Sequence, residues 1–191
     1  MNICGKNVVL RAMEMEHCEL AKDMFNDPEI ENSVVGWAFP LSLFSQKKWL
    51  ELHYKDQNAF RFVIDTKEDG PVGIIALTDI DWKNRRAVIG AKLASKGNRS
   101  KGYGTDAIMA IMRYAFDELG FHRLDASRLA MNQASAGLLA TCGFVEEGVK
   151  REYIYKGGEY RDLVEAGILA DEYYELINTS HYWESDETGQ N

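Results

Sequence analysis

The hydrophobic pattern of the chain changes period several times. Three runs in the first half, "AFRFVIDT" (59–66), "PVGIIALTDI" (71–80) and "RAVIGAKLAS" (86–95), read as strands. Asp69-Gly70 separates the first two and Asn84 lies between the second and third, so the pattern predicts an antiparallel meander. Downstream, Ala107, Ile108, Ile111, Met112, Ala115, Phe116 and Leu119 recur at steps of three and four. That period predicts a helix with one apolar face lying on a sheet. Ahead of the meander, "NVVLRAME" (7–14) reads as a strand. Leu20, Met24 and Phe25 then share a helical face that Pro28 interrupts, and Phe44, Trp49 and Leu52 can gather on a second helix. After the long helix come a strand in "HRLDASRLA", a short helix in "QASAGLLATCG", and two strands flanking Lys156-Gly157-Gly158-Glu159, whose adjacent glycines suit a hairpin turn. The order is strand, two helices, three strands, helix, strand, helix, two strands. It predicts an α/β (α+β) domain with a mixed sheet of about seven strands.

Length sets the number of cores. At 191 residues and 46% hydrophobic composition, one domain spanning 1–191 is expected, with a tail from about 184 to 191 reading as disordered. Lys and Arg total 22 against 30 Asp and Glu, a net charge of -8. This argues against nucleic acid as a partner and is compatible with cationic substrates. Cys4, Cys18 and Cys142 have neither disulfide nor metal-ligand spacing, and His17, His53, His122 and His181 form no metal-like set, so no metal is expected. The start "MNICGKNVVLRAMEMEH" lacks the pattern of a secretory signal, and no apolar run approaches the roughly 18 residues of a membrane span. A cytoplasmic chain without a membrane partner is the expectation.

The chemistry concentrates in "GAKLASKGNRSKGYGTDAIMAIMRYAFDELG" (90–120), where glycines and cations crowd between a strand and the long helix. A helix start presents backbone N–H groups without helical partners, and its dipole favours anions. Gly102 and Gly104 let the chain turn and a ligand approach, while Arg99 and Lys101 add charge. The outline is a pyrophosphate cradle, against the alternative of a plain glycine turn with solvated basic residues. A nucleoside-triphosphate loop does not fit, because Lys101 precedes its glycine and no Lys-Ser or Lys-Thr follows. A dinucleotide loop does not fit either, because this loop follows the fourth strand instead of the first.

Arg99, Gly102 and Gly104 match the [QR]-x-x-G-x-[GA] pattern of the GNAT superfamily of N-acetyltransferases. The resemblance continues through Asn132 and Ser135, Cys142-Gly143-Phe144, Glu147-Gly148, and Gly158, Tyr160 and Asp162. It covers about residues 6 to 170 and is similar to the branch holding ribosomal-protein N-terminal acetyltransferases and bacterial spermidine acetyltransferases. It implies a mostly antiparallel, twisted sheet with helices on both faces, and acetyl-CoA as donor. Lys92, Leu93 and Ala94 would be the strand edge beside the pantetheine arm. The amides of Arg99, Ser100, Lys101, Gly102, Tyr103, Gly104 and Thr105 would hold pyrophosphate. Asn132 would reach the cofactor, or else cap its helix, and Ser135 would lie near the sulfur or be a first-turn polar residue.

The implied reaction is attack of a neutral amine on a thioester. Neutralising a lysine-like ammonium near pH 7.4 costs about 4 kcal/mol, whereas an α-amine of pKa about 7.7–8.0 costs well under about 1 kcal/mol. The expected acceptor is a protein N-terminal α-amine, with a polyamine as the alternative. The spermidine enzymes resembling this chain carry an acidic tyrosine seven residues after the motif asparagine, and Leu139 stands there. Ser135, Tyr103, Tyr153 or water would then supply the proton to the leaving thiolate. Asp79, at the strand end expected to face the cleft, is the candidate base, with Glu31 as alternative. Trp37 and Phe39, with Glu31, are the candidate acceptor-binding residues. The protein would be a monomer or homodimer. A noncatalytic acetyl-CoA-binding regulator, or a nucleotide-phosphate module, remains as an alternative.

Overall fold

The computed structural model describes residues 2–36, 39–94 and 101–184. Among these described residues eight strands form one sheet in the order β1-β2-β3-β4-β5-β6-β8-β7. They are β1 (Ile3–Cys4), β2 (Val8–Ala12), β3 (Phe60–Thr66), β4 (Gly70–Asp81), β5 (Arg86–Leu93), β6 (Arg123–Leu129), β7 (Val145–Lys156) and β8 (Glu159–Leu169). All neighbours are antiparallel except β5 and β6. The helices are α1 (Cys18–Asn26), α2 (Pro28–Ser33), α3 (Leu43–His53), α4 (Tyr103–Arg113), α5 (Gln133–Thr141) and α6 (Ala170–Ser180). The eighth strand beyond the seven expected is the two-residue β1, too short to leave a periodic signal.

Local chemistry explains most boundaries. Asp27 ends α1 and caps α2, accepting from the Glu29 amide at 2.8 Å, and Pro28 takes the first helical position where its missing N–H is harmless. Ser42 caps α3 by accepting from the Ser45 amide at 3.0 Å. The β7–β8 hairpin turns on Gly157 and Gly158, both at positive φ.

Helix α4 carries the core. The expected apolar face is present, but every residue from Asp106 to Met112 is buried, because β2 and β5 cover one side and α5 another. The sheet supplies Leu10, Ile64, Ile75, Leu77, Leu124 and Ile168, all with no exposed area. Successive strand residues leave a sheet on opposite faces. Leu93 lies near Gly104 of α4 while the Lys92 ammonium sits over Phe25 of α1, so α4 and α1 cover opposite faces.

Two expectations are corrected. Residues 170–180 form α6, which the sequence reading passed over; its Tyr173 is fully buried against Phe116. On α3, Phe44 and Leu52 do not gather into the core but are 71% and 78% exposed. Trp49 instead stacks on His53, with the Arg61 guanidinium over its ring, and Gln46 is the residue α3 buries.

Candidate active site

The site begins where two strands part. β5 and β6 pair only from Arg86–Val88 to Arg123–Asp125, and beyond that point the backbone edges of both strands are free of each other. A cavity of about 400 Å³ opens there. Its walls come from β5 (Val88 to Leu93), from Ala126 to Arg128 of β6, from Gly104 and Ile108 of α4, from α5, and from Ile30 and Ser33 to Gly36 in and after α2. An exposed strand edge beside it can pair with an amide-bearing ligand as an added strand would.

The start of α4 forms one end. Gly102 caps the helix at φ 80, a left-handed conformation that strains other residues. A side chain at Gly104 would meet Leu138 at 3.4 Å and Leu93 at 3.9 Å, both lining the cavity. Asp69, in the turn before β4, accepts from Lys101 at 2.6 Å and from the Tyr103 hydroxyl at 2.8 Å. The Lys101 and Tyr103 hydrogen bonds hold the Asp69 carboxyl below its usual range. Lys101 is thus matched by a carboxylate, and the Tyr103 hydroxyl is engaged there. Arg99 and Ser100 lie outside the described residues, as does Trp37. Thr105 lies in the first turn of α4 and Leu93 ends β5, and Ala94 donates its amide to Val72 in β4 at 2.8 Å.

Asn132 and Ser135 both line the cavity. The Asn132 amide is used at both ends: its oxygen caps α5 by accepting from the Ser135 amide at 3.0 Å, and its nitrogen donates to the Ser33 carbonyl at 2.8 Å. The capping alternative therefore describes its side chain, which also ties α5 to the end of α2. Leu139 lines the cavity as an apolar wall, and Tyr153 is 58% exposed on β7 and outside the lining.

Asp79 is displaced from the position expected of it. A bulge interrupts the β4–β5 ladder between Thr78 and Asp81, and Asp79 adopts φ 50 within it. Its side chain is exposed and outside the cavity lining, whereas Thr78 lines the cavity and donates its hydroxyl to the Asp79 carboxylate at 3.3 Å. Glu31 is also outside the lining. Its carboxylate pairs with Lys156 at 3.0 Å. Phe39 is 70% exposed.

Sequence reasoning missed Lys156. From the hairpin it reaches the end of α2, donating to the carbonyls of Glu31, Val34 at 2.7 Å and Gly36 at 2.9 Å. It thereby pins the segment that walls the cavity. Arg128 was missed as well. Buried in β6, it donates to the carbonyls of Leu129 at 3.2 Å and Ala130 at 3.0 Å and pairs with Glu146. Neither leaves a signal in local sequence, because each partner is remote or follows from a turn.

Residues 7–145 match the family described as the acetyltransferase (GNAT) domain. The chain belongs to this family and is an N-acetyltransferase of GNAT type, a class whose acyl donor is acetyl-CoA. It is 29% identical over 170 residues to the SPbeta prophage-derived uncharacterized N-acetyltransferase YokL of Bacillus subtilis, covering 88% of this chain and 93% of that one. The spermidine N(1)-acetyltransferase of Vibrio cholerae is 25% identical, with 88% and 96% covered. The alanine N-acetyltransferase of ribosomal protein uS5 in Escherichia coli is 28% identical, with 68% and 64% covered. In fold, the crystal structure of the Vibrio cholerae spermidine N-acetyltransferase with CoA and spermine superposes with a TM-score of 0.82 at 24% identity, covering 88% and 98%.

The cavity suits such a donor: a free strand edge, two helix N-termini in α4 and α5, and a glycine whose added Cβ would already touch the walls, leaving no room for a larger side chain beside a ligand. Gly104→Val is expected to push Leu138 inward and weaken CoA binding about tenfold or more, a change of at least about 1.4 kcal/mol. Titration calorimetry on the folded variant checks it. Unchanged affinity would remove Gly104 from the donor site.

Proposed function

We propose that this chain transfers an acetyl group from acetyl-CoA to the N-terminal α-amine of a protein or peptide. The observation that carries the choice of acceptor is the charge of the cavity wall. Among the described lining residues there is no carboxylate, and the two ionisable side chains are the cations Lys92 and Arg128. A polyamine brings several ammonium groups, each needing an acidic or carbonyl partner once desolvated. An α-amine brings one, which is largely neutral near its pKa of about 7.7–8.0.

The donor supplies a thioester carbonyl; the protein supplies position and proton transfer. In this reading the backbone edge of Lys92, Leu93 and Ala94 aligns the donor's arm, and the amides from Lys101 to Thr105 face its phosphates. Arg99 and Ser100 are proposed to extend the same cradle, and Asn132 to hold α5 in place beside it. The Ser135 hydroxyl donates a hydrogen bond toward the departing sulfur, and the thiolate takes its proton from water. The acceptor enters from the α2 side, past the segment containing Trp37 and Phe39 and held by Glu31 and Lys156. Its ammonium proton passes to the Thr78 hydroxyl and on to Asp79. Transfer is direct, in a ternary complex. Among the described residues no cysteine lines the cavity, and burial pushes the nearby Cys142 thiol up to about 12.

A mixed pool of a Ser-initiated peptide, spermidine and free lysine, incubated with acetyl-CoA and read by mass spectrometry, tests the reading. The peptide N-terminus is expected to be acetylated fastest. Exclusive acetylation of spermidine would move the chain to the polyamine acceptors, and CoA binding without turnover on any amine would make it a regulator.

A further inference from the structure

One side chain lining the cavity, that of Lys92, has no task in this scheme, which uses only its backbone. Lys92 lies in the free part of β5, and its side chain leaves the sheet on the face that carries α1. Its nitrogen sits 4.9 Å from the centre of the Phe25 ring, and the residue lines the cavity with Ser33, Val34 and Asn132. Among the described residues it has no hydrogen bond and no ion pair; the Phe25 ring is its direct contact, and the Glu31 carboxylate acts on it only through space.

The other charges nearby are committed. Glu31 is held by Lys156 at 3.0 Å, and Arg128 by Glu146 and two carbonyls. Burial pulls the Lys92 ammonium below the usual lysine value; the charge of Glu31 opposes this and that of Lys156 adds to it. A half-buried cation that only shares the field of a carboxylate already paired with Lys156 is incompletely compensated, and a ligand that brings its own anion relieves it. The donor's phosphates are poorly placed to do so. They are expected at the start of α4, and α4 covers the opposite face of the sheet from Phe25 and Lys92.

We propose that Lys92 is a specificity-determining residue that selects acceptors with a carboxylate close to the reacting amine, such as a peptide whose second residue is acidic. The inference rests on the α-amine reading. A carboxylate seated against the ammonium forms a charge-assisted hydrogen bond and also orients the amine. A peptide whose second residue is lysine places a like charge there instead.

The test compares kcat/KM, at saturating acetyl-CoA, for three tetrapeptides beginning Ser-Asp, Ser-Asn and Ser-Lys, with free aspartate as a fourth acceptor. The wild-type protein is expected to prefer Ser-Asp over Ser-Asn by about tenfold, and Ser-Lys least. Lys92→Met should bring the Asp-to-Asn ratio close to one, Lys92→Arg should keep part of it, and Lys92→Glu should favour Ser-Lys. CoA affinity is measured separately for each variant, so that a loss of donor binding is told apart from a loss of acceptor selection. Equal rates on all three peptides would overturn the inference while leaving the α-amine reading standing. So would an unchanged ratio in Lys92→Met, a loss of CoA affinity that accounts for the drop, or acetylation of Lys92 itself. Preference for free aspartate over every peptide would keep the carboxylate partner and overturn the peptide acceptor. If the wild type binds CoA and acetylates none of the four, the α-amine reading falls and the inference with it.

Discussion

Replacing Asp106 with alanine is expected to destabilise the protein by on the order of 3 kcal/mol, since several buried or half-buried donors would lose their acceptor at once. The carboxylate is 3% exposed and accepts from the amides of Lys6 at 2.9 Å, Asn7 at 2.6 Å and Val8 at 3.0 Å, and from the Tyr182 hydroxyl at 3.0 Å. It therefore joins the turn between β1 and β2, the first turn of α4 and the segment after α6. Gly5 permits the close approach, because a Cβ there would lie 2.6 Å from the carboxylate. Asp106→Asn keeps one acceptor oxygen and should lose less. Urea denaturation with a common slope would measure both. Because Asp106 lies two residues beyond Gly104, CoA affinity should fall along with stability. A stability change under about 1 kcal/mol for the alanine variant would mean that water satisfies these donors.

The second large effect concerns turnover. Asp79→Asn is expected to lower kcat by on the order of 10²- to 10⁴-fold near neutral pH while changing CoA affinity little, the usual cost of losing a positioned base. The amide preserves the shape of the bulge but cannot take a proton. Thr78→Val should show a comparable loss, because it removes the hydroxyl that connects the cavity to Asp79. Only the neutral amine attacks, so with an α-amine acceptor the rate rises with pH. Both variants should recover partly above about pH 8, where the amine deprotonates in solution without help. Steady-state profiles from pH 6 to 10 decide the matter. Near-normal kcat in Asp79→Asn with an unshifted profile would remove Asp79 from the mechanism and leave the acetyltransferase assignment untouched.

The meander, α4 and the β7–β8 hairpin were legible from sequence because each rests on a local regularity: alternation, a three-and-four step, or paired glycines in a turn. The interrupted helix at Pro28 was legible for the same reason, though not that Asp27 would cap a second helix there. α6 escaped notice. It mixes Tyr173, Leu176 and Ile177 with acidic residues, and its start directly follows a strand without a turn between. On α3 the apolar residues share a helix without sharing the core, so periodicity alone gave Phe44 and Leu52 the wrong surroundings.

The site divides in the same way. Residue types and spacing gave the glycine loop and helix start as the outline of an anion cradle, and the roles of Asn132 and Ser135 came from the resemblance to the family; the local elements that carry these residues are what the sequence by itself determined. Which charges are free in the cavity only the tertiary structure decided. Lys101 is matched by Asp69 across 32 positions, Lys156 by Glu31 across 125, and Asp106 takes its hydrogen bonds from residues 76 to 100 positions away. Lys92 is left unmatched because the strand it stands on parts from β6 and turns that side chain toward α1. The bulge that moves Asp79 behind Thr78 is likewise a matter of strand register. Periodicity reflects short-range backbone sterics and the two faces of each element. Charge pairing depends on distances between elements, and those exist only once the sheet has formed.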